Sequence, residues 1–258
     1  MLVELAKALE ESVQQTLEDR PGIAFSGGLD STLIAHVAKK YSAPQLFIAG
    51  IERCEDFQYA EVLAEKMKLP LHKRTLSLQE ILEYYKTAYS IFPGDFLKVE
   101  LLVPLCAVGE MAQKEGLEVL LFGTGAEELF VGYERYYTYA EDGGDLEKLL
   151  KEEYSTLKNR EIKMIKKAMR KYNIEARFPF YNPELEKIAF SIPLQQKMED
   201  KILKKCVLRE AAKFLGVPEL AVKRKKKALQ YGSGVHNVLL KNSEYLSGIF
   251  PPKELGGP

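Results

Sequence analysis

The sequence predicts an α/β protein built on a doubly wound parallel sheet, with a mostly helical C-terminal part. Three observations predict it. Short apolar runs alternate with helical runs over the first half of the chain. A glycine-rich turn joins the first apolar run to a helix. After Tyr133, helical patterns replace the alternation. A chain of 258 residues has room for one large domain, or for an α/β domain with a helical annex.

Residues 1–19 read as a helix, because Leu2, Leu5, Leu9, Val13 and Leu17 recur at helical spacing and Arg20-Pro21-Gly22 ends the run. Residues 22–25 are a short apolar strand, 26–28 a turn, and 30–40 a helix with Leu33, Ile34 and Val37 inside it. The unit repeats with a strand at 45–51, a helix at 55–68 and a third strand at 71–76 introduced by Pro70. A helix over 77–89 opens on Ser77 and Glu80, spaced as a capping box. The pattern over 90–103 assigns no element. Pro104 opens a helix through Lys114, and 117–122 is the fourth strand. Strands alternating with helices imply a parallel sheet covered on both faces, with its strand-to-helix loops gathered at one end. The loops at 26–31, 50–56 and 123–128 are therefore the place to look for a site.

Past the cluster of Tyr133, Tyr136, Tyr137 and Tyr139, helical patterns cover 145–172, 183–190, 197–215 and, weakly, 235–246. These tyrosines either line a substrate pocket or pack beneath the helical part. The expected organisation is a nucleotide-binding core at 1–133, a helical region at 134–246, and a loose tail from 247 with three Pro and three Gly in its twelve residues.

Composition narrows the class. Lys plus Arg is 37 and Asp plus Glu is 37, a balance unlike that of a generic nucleic-acid binder. Cys54, Cys106 and Cys206 form no CxxC pair, which predicts reduced thiols in a cytoplasmic protein. His36, His72 and His236 share no metal-ligand spacing. No apolar run suggests a membrane span, and Glu4, Lys7, Glu10 and Glu11 interrupt any signal-peptide core.

The chemistry concentrates in Ser26-Gly27-Gly28-Leu29-Asp30-Ser31. Two glycines let the backbone turn sharply and approach a ligand. The free N–H groups of the following helix form an anion site. Asp30 suits a phosphate site only when a cation is present, and Mg²⁺ between Asp30 and pyrophosphate resolves that conflict. The Gly-Lys-Ser/Thr ending of a Walker loop is missing. The bland reading is a plain turn with an N-terminal helix carboxylate. Glu127 and Glu128 follow the fourth strand, where they either hold metal beside the phosphates or suit a helix dipole. From Lys197 to Lys227 there are eleven Lys or Arg against four Asp or Glu. Such a stretch is solvated surface, an RNA patch, or an arm that neutralises a leaving pyrophosphate.

The loop resembles the signature of the PP-loop ATP pyrophosphatases, whose sheet is of the adenine nucleotide alpha hydrolase-like type. Other motifs are similar to the synthetase domain of the asparagine synthetase family. Gly125-Ala126-Glu127-Glu128-Leu129-Phe130-Val131-Gly132-Tyr133 is similar to its Gly-Ala-Asp-Glu-Leu-Phe-Gly-Gly-Tyr. Glu175-Ala176-Arg177-Phe178-Pro179-Phe180 matches Glu-Ala-Arg-x-Pro-Phe, and Lys205 with Leu208-Arg209 matches Lys-x-x-Leu-Arg. Arg224, Lys226 and Gly232 fit the late basic loop, and the motifs keep the family's order over about residues 20–234.

The resemblance implies an enzyme that splits ATP into AMP and pyrophosphate while activating a carboxylate as an acyl-adenylate. It implies a nucleotide site at Ala24, Phe25, Ser26, Gly27, Gly28, Asp30 and Ser31, with Gly50 and Gly123 at neighbouring strand ends. Asp30 and Glu127 would hold Mg²⁺, and Lys205 and Lys226 would act on the leaving pyrophosphate with Asp30. Thr124, Glu128, Glu175 and Arg177 would lie toward the substrate. For the last pair an internal salt bridge is an equal reading.

Three departures matter. The family's glutaminase domain has no counterpart before the loop, so the nitrogen source is expected to be free ammonia, another nucleophile or a separate ammonia-supplying protein. Thr124 stands where the family carries an acid, which leaves ATP use intact and weakens aspartate as substrate. Asn182 replaces an Asp, and the acidic position of the preceding helix falls among Lys163, Lys166 and Lys167, which points toward a more anionic substrate or a partner surface. The expected function is an ATP-dependent, AMP-forming ligase acting on a small carboxylate, with a homo-oligomer among the expected assemblies. A PP-loop tRNA-modifying enzyme and a non-catalytic ATP-binding regulator are the alternatives.

Overall fold

The computed structural model describes residues 1–93, 96–225 and 227–246. Five strands form one parallel sheet in the order β3-β2-β1-β4-β5: β1 Gly22–Ala24, β2 Gln45–Gly50, β3 Leu71–Thr75, β4 Val119–Leu121 and β5 Glu175–Arg177. The chain steps outward from β1 to β3, then returns to the other side of β1 for β4. The loops after β1 and β4 therefore diverge, which opens a crevice at the carboxyl ends of the central strands. Pairing sets Ala24 level with Phe47 and Ile23 level with Leu121. Since β2 continues to Gly50, its last residues stand as a wall beside the loop that leaves β1.

Fifteen helices are labelled in chain order: α1 Leu2–Gln14, α2 Leu29–Ala38, α3 Glu55–Met67, α4 Leu78–Ile91, α5 Phe96–Lys114, α6 Ala126–Phe130, α7 Glu134–Glu141, α8 Leu146–Thr156, α9 Glu161–Arg170, α10 Pro183–Ser191, α11 Leu194–Lys197, α12 Cys206–Phe214, α13 Glu219–Val222, α14 Leu229–Gly232 and α15 Val235–Lys241. One layer joins α2 and α3 with α1, α10, α12 and α13, and the other joins α4, α5 and α9 with α14 and α15. The main core cluster runs from Leu5 to Leu239, and a smaller one gathers Val131, Tyr136, Tyr137, Leu146 and Leu150. No described helix is long and apolar enough to cross a membrane.

Most sequence expectations hold within a few residues. The capping box of α4 forms as expected: Glu80 N–H donates to Ser77 Oγ, and Ser77 N–H donates to Glu80 Oε2. Three differences have physical causes. The helix expected to open at Pro104 begins at Phe96, with Pro104 in its interior. Proline removes only one backbone bond, and burial of Val99, Leu102 and Val103 before it holds the earlier turns in register. The fifth strand belongs to the region read as helical, because three residues are too few to show alternation. Finally, α11 and α12 are separate helices, divided by a turn over 198–205 that carries a functional candidate. Cys54 and Cys106 are buried and Cys206 half-buried, all as free thiols, and burial pushes Cys106 up to about 12. Lys226 and the tail from 247 lie outside the described residues.

Candidate functional site

The crevice between the diverging loops holds a cavity of about 350 Å³, within the range of small-molecule sites. Its first wall is the loop leaving β1. Gly27 has φ +69°, and a Cβ there would lie 2.8 Å from the Ala60 backbone nitrogen, so both conformation and space require glycine. Ser26 Oγ accepts the Gly28 N–H at 3.3 Å, and Gly28 starts α2 with extended dihedrals. The first turn of α2 thus opens toward the cavity with Asp30 and Ser31 on its rim.

The second wall follows β4. Gly123 packs against Asp30, where an added Cβ would stand 3.0 Å from the Asp30 Cβ. Glu127 and Glu128, the second and third residues of α6, are both buried and both line the cavity. Burial, reinforced by the neighbouring charge of Glu127, pushes the Glu128 carboxyl up to about 7.

The third element is the turn before α12. Asp200 accepts the N–H groups of Ile202 and Leu203 at 2.7 and 2.8 Å. Arg209 donates to the carbonyls of Leu203, Lys204 and Val222. So braced, Lys204 and Lys205 both take left-handed dihedrals, φ 58° and 53°, at a cost of about 1 kcal/mol each. Lys204 pairs outward with Glu134. Lys205 turns inward, with its Nζ 2.6 Å from Asp30 Oδ2 and 3.0 Å from Glu127 Oε1. Asp30 Oδ1 is buried and accepts no hydrogen bond. Two hard-oxygen carboxylates around one lysine, with a buried oxygen lacking a donor, are a donor set that fits Mg²⁺.

Among the described residues of the late basic run, Lys223, Arg224 and Lys227 are paired within the fold. Arg224 donates to the Ser26 carbonyl at 2.6 Å and to Asp56 at 2.5 Å, with Tyr59 stacked against its guanidinium. It ties the phosphate-type loop to α3 and so braces it. Asp56 itself is pushed up by burial against the downward pull of Arg224. Lys223 pairs with Glu219 and Lys227 with Glu55. Gly50 faces away from the cavity toward Ser233, whose carbonyl accepts the Ile51 N–H at 2.9 Å, so α14 docks on the end of β2.

Of the expected residues, Ala24, Phe25, Ser26, Gly28, Asp30, Ser31, Gly123, Thr124, Glu127, Glu128 and Lys205 line the cavity together. Gly27 shapes the loop from behind. Gly50, Glu175 and Arg177 are not in the lining. Arg177 instead bridges Glu175 and Glu18 and donates to the Thr16 carbonyl at 3.2 Å, which fastens β5 to the end of α1. Asn182 caps α10, accepting from Glu184 and Leu185. Tyr133 lines the cavity, Tyr136 and Tyr137 are core residues, and Tyr139 is exposed.

The lysine-rich helix requires a correction. Lys163, Lys166 and Lys167 are exposed on the outer face of α9. Its inner face brings Met164, Ile165 and the first-turn Glu161 to the cavity. This wall is acidic and apolar, and the expectation of an anionic substrate built on those lysines has no basis in its geometry. The helical period carried the signal: Glu161, Ile165 and Ala168 recur on one face.

Comparison with known proteins places these features in context. The sequence profile of the asparagine synthase family matches residues 4–173 and 153–246. A putative glutamine-hydrolyzing asparagine synthetase of Methanocaldococcus jannaschii is 33% identical over 274 residues, covering 92% of this chain and 50% of that protein. The glutamine-hydrolyzing asparagine synthetase B of Escherichia coli is 30% identical over 227 residues, covering 79% and 41%. The chain thus spans half or less of the length of these relatives. Among solved structures, the NMN synthetase of Francisella tularensis superposes with a TM-score of 0.46 at 18% identity, covering 88% of this chain and 74% of that one.

Proposed function

Because this chain belongs to the asparagine synthase family, we propose that it is an ATP-dependent, AMP-forming ligase that activates a carboxylate as an acyl-adenylate and passes the acyl group to ammonia or another nitrogen nucleophile. The observation that carries the reading is the Lys205 bridge between Asp30 and Glu127, set beside the loop and helix start that follow β1.

In this reading Ser26, Gly28 and Ser31, with the free N–H groups of α2, bind the triphosphate. Asp30 and Glu127 hold Mg²⁺, which when bound supplies positive charge to the phosphate oxygens. Ile48, Ala49 and the apolar face of α5 seat the nucleoside. A carboxylate oxygen attacks the α-phosphorus, the bond to the bridging oxygen breaks, and pyrophosphate departs with its charge met by Lys205 and by Lys226 from the late loop. The nitrogen nucleophile then adds to the acyl carbon and loses a proton, and AMP leaves. The chain contributes alignment and preorganised charge. Thr124 offers a hydroxyl and no carboxylate, so it cannot act as the base for the incoming nitrogen. The internal pairing of Lys223, Arg224 and Lys227 lends no support to an RNA footprint.

The test is pyrophosphate and AMP release with Mg·ATP and ammonia over a panel of amino acids and small carboxylates, aspartate included. Acid-dependent release that Asp30→Ala abolishes is expected. ATP binding with no release for any acid would favour a regulatory protein instead.

A further inference from the structure

The α9 side of the cavity has a chemical character that the phosphate side does not. Leu157, Met164 and Ile165 give it an apolar surface, and Glu128 and Glu161 give it two carboxylates. Glu128 is only 3% exposed; its carboxyl accepts its own backbone N–H, and among the described residues no side chain pairs with it. In its charged form a carboxylate buried with no cation beside it costs several kcal/mol, and a cationic ligand would offset that cost. Glu161 Oε2 is likewise buried without a hydrogen-bond donor, while its other oxygen is ion-paired with Arg160 at 3.6 Å.

Among the described residues, four of the five cations that line the cavity are engaged elsewhere. Lys205 bridges Asp30 and Glu127, Arg209 is forked onto three backbone carbonyls, Arg224 holds Ser26 and Asp56, Lys227 holds Glu55, and Lys225 is exposed to solvent. A second carboxylate on the substrate would therefore meet two acids and, among the described residues, no unpaired cation on this wall. An ammonium there would answer both Glu128 and Glu161, with its hydrocarbon stem against Met164 and Ile165.

We propose that Glu128 and Glu161 recognise a cationic amine on the acyl substrate, so that the acid activated here is an apolar amino monocarboxylate and not a dicarboxylate. This rests on the adenylation reading above, whose substrate class it supplies.

The test compares three acids of equal length, 5-aminopentanoate, pentanoate and glutarate, by acid-dependent exchange of pyrophosphate into Mg·ATP, which needs no nitrogen nucleophile. The amino acid should exceed both others by about tenfold or more in kcat/KM. Glu161→Gln and Glu128→Gln should each collapse that preference, and Glu161→Lys should turn it toward glutarate. Preference for glutarate, or a ratio unmoved by all three substitutions, overturns the proposal. Calorimetric titration with hexylammonium and hexanoate separates the two levels. Binding of the ammonium alone, lost in Glu161→Gln, supports the acidic wall even where no acid promotes exchange, a result that would sink only the adenylation reading. Equal binding of both probes, or no ammonium binding, overturns the acidic wall.

Discussion

Lys205 Nζ stands 2.6 Å from Asp30 Oδ2 and 3.0 Å from Glu127 Oε1, so one buried lysine neutralises carboxylates from two separate loops. In the proposed reaction the same three groups receive Mg²⁺ and the leaving pyrophosphate. The lysine therefore compensates the two acids until the ligands redistribute its charge. Removing it leaves one buried and one half-buried carboxylate uncompensated, a loss of about 3 kcal/mol by analogy with broken buried pairs. Lys205→Met is expected to melt well below the wild type, to regain part of the difference when Mg²⁺ is added without nucleotide, and to release pyrophosphate about a hundredfold more slowly. Thermal melts with and without Mg²⁺ read the first two effects. A variant as stable as the parent and indifferent to the cation would show that the bridge is incidental.

Arg224 acts through the phosphate-type loop that it braces. Its guanidinium holds the Ser26 carbonyl and Asp56 at once, and it is itself buried. Arg224→Met keeps the stem but strands Asp56, with an expected loss of about 3 kcal/mol. Asp56→Asn in the same background should recover part of that loss, because the stranded charge disappears. Urea melts of the two single variants and the double variant test the coupling. Strict additivity would contradict it. ATP affinity should fall in Arg224→Met, since the loop loses its tie to α3.

Gly132 lies directly over the bridge. A Cβ at this position would run into the Glu127 carboxylate and the Lys205 Cε. Gly132→Ala is expected to cost about 1–3 kcal/mol, read as a melting temperature lowered by roughly 2–10 °C. The same variant should lose pyrophosphate release out of proportion to its stability, because the two displaced groups belong to the proposed chemistry. An alanine variant that matches the parent in both readouts would show that Glu127 and Lys205 have freedom to move aside.

Much of this site was legible because its signals are contiguous. Ser26 to Ser31 are strand end, turn and helix start in six residues, and short range suffices to read them. Lys205 was legible only by resemblance, since nothing local reveals that a turn braced by Asp200 and Arg209 aims it at Asp30. Glu161 is hidden in the summed charge of α9, while a helix presents faces: Lys163, Lys166 and Lys167 point outward and Glu161 inward. Pro104 reads as a helix opener because proline favours that position, yet the buried residues before it outweigh one lost backbone bond. Glu175 and Arg177 matched a motif and proved to be a surface fastening of β5 to α1, a distinction that only the sheet order reveals.

Away from the cavity, acid stability depends on the arginine that joins α4 to α5. Arg74 donates to Glu80 at 2.8 Å and to Glu110 at 3.0 Å. Hydrogen bonds from the Ser77 backbone, then from Arg74, hold Glu80 down at about 2. Those from Lys114, then from Tyr84, hold Glu110 at about 2 as well. Both folded values lie below the unfolded one, so their stabilisation is fully present above about pH 4.5 and is lost as the pH falls toward 2. The two side chains are 32% and 27% exposed, and solvent screening reduces each contribution to about 1 kcal/mol. Urea melts at pH 6 and pH 3 should therefore show a steeper loss in the wild type than in Glu110→Gln, whose amide cannot titrate. Arg74→Met should be the less stable of the two at pH 6 and should converge on Glu110→Gln as the pH falls below about 2, where the acids become protonated and the arginine has nothing left to pair. Parallel losses in all three proteins across that window would place the acid sensitivity elsewhere in the fold.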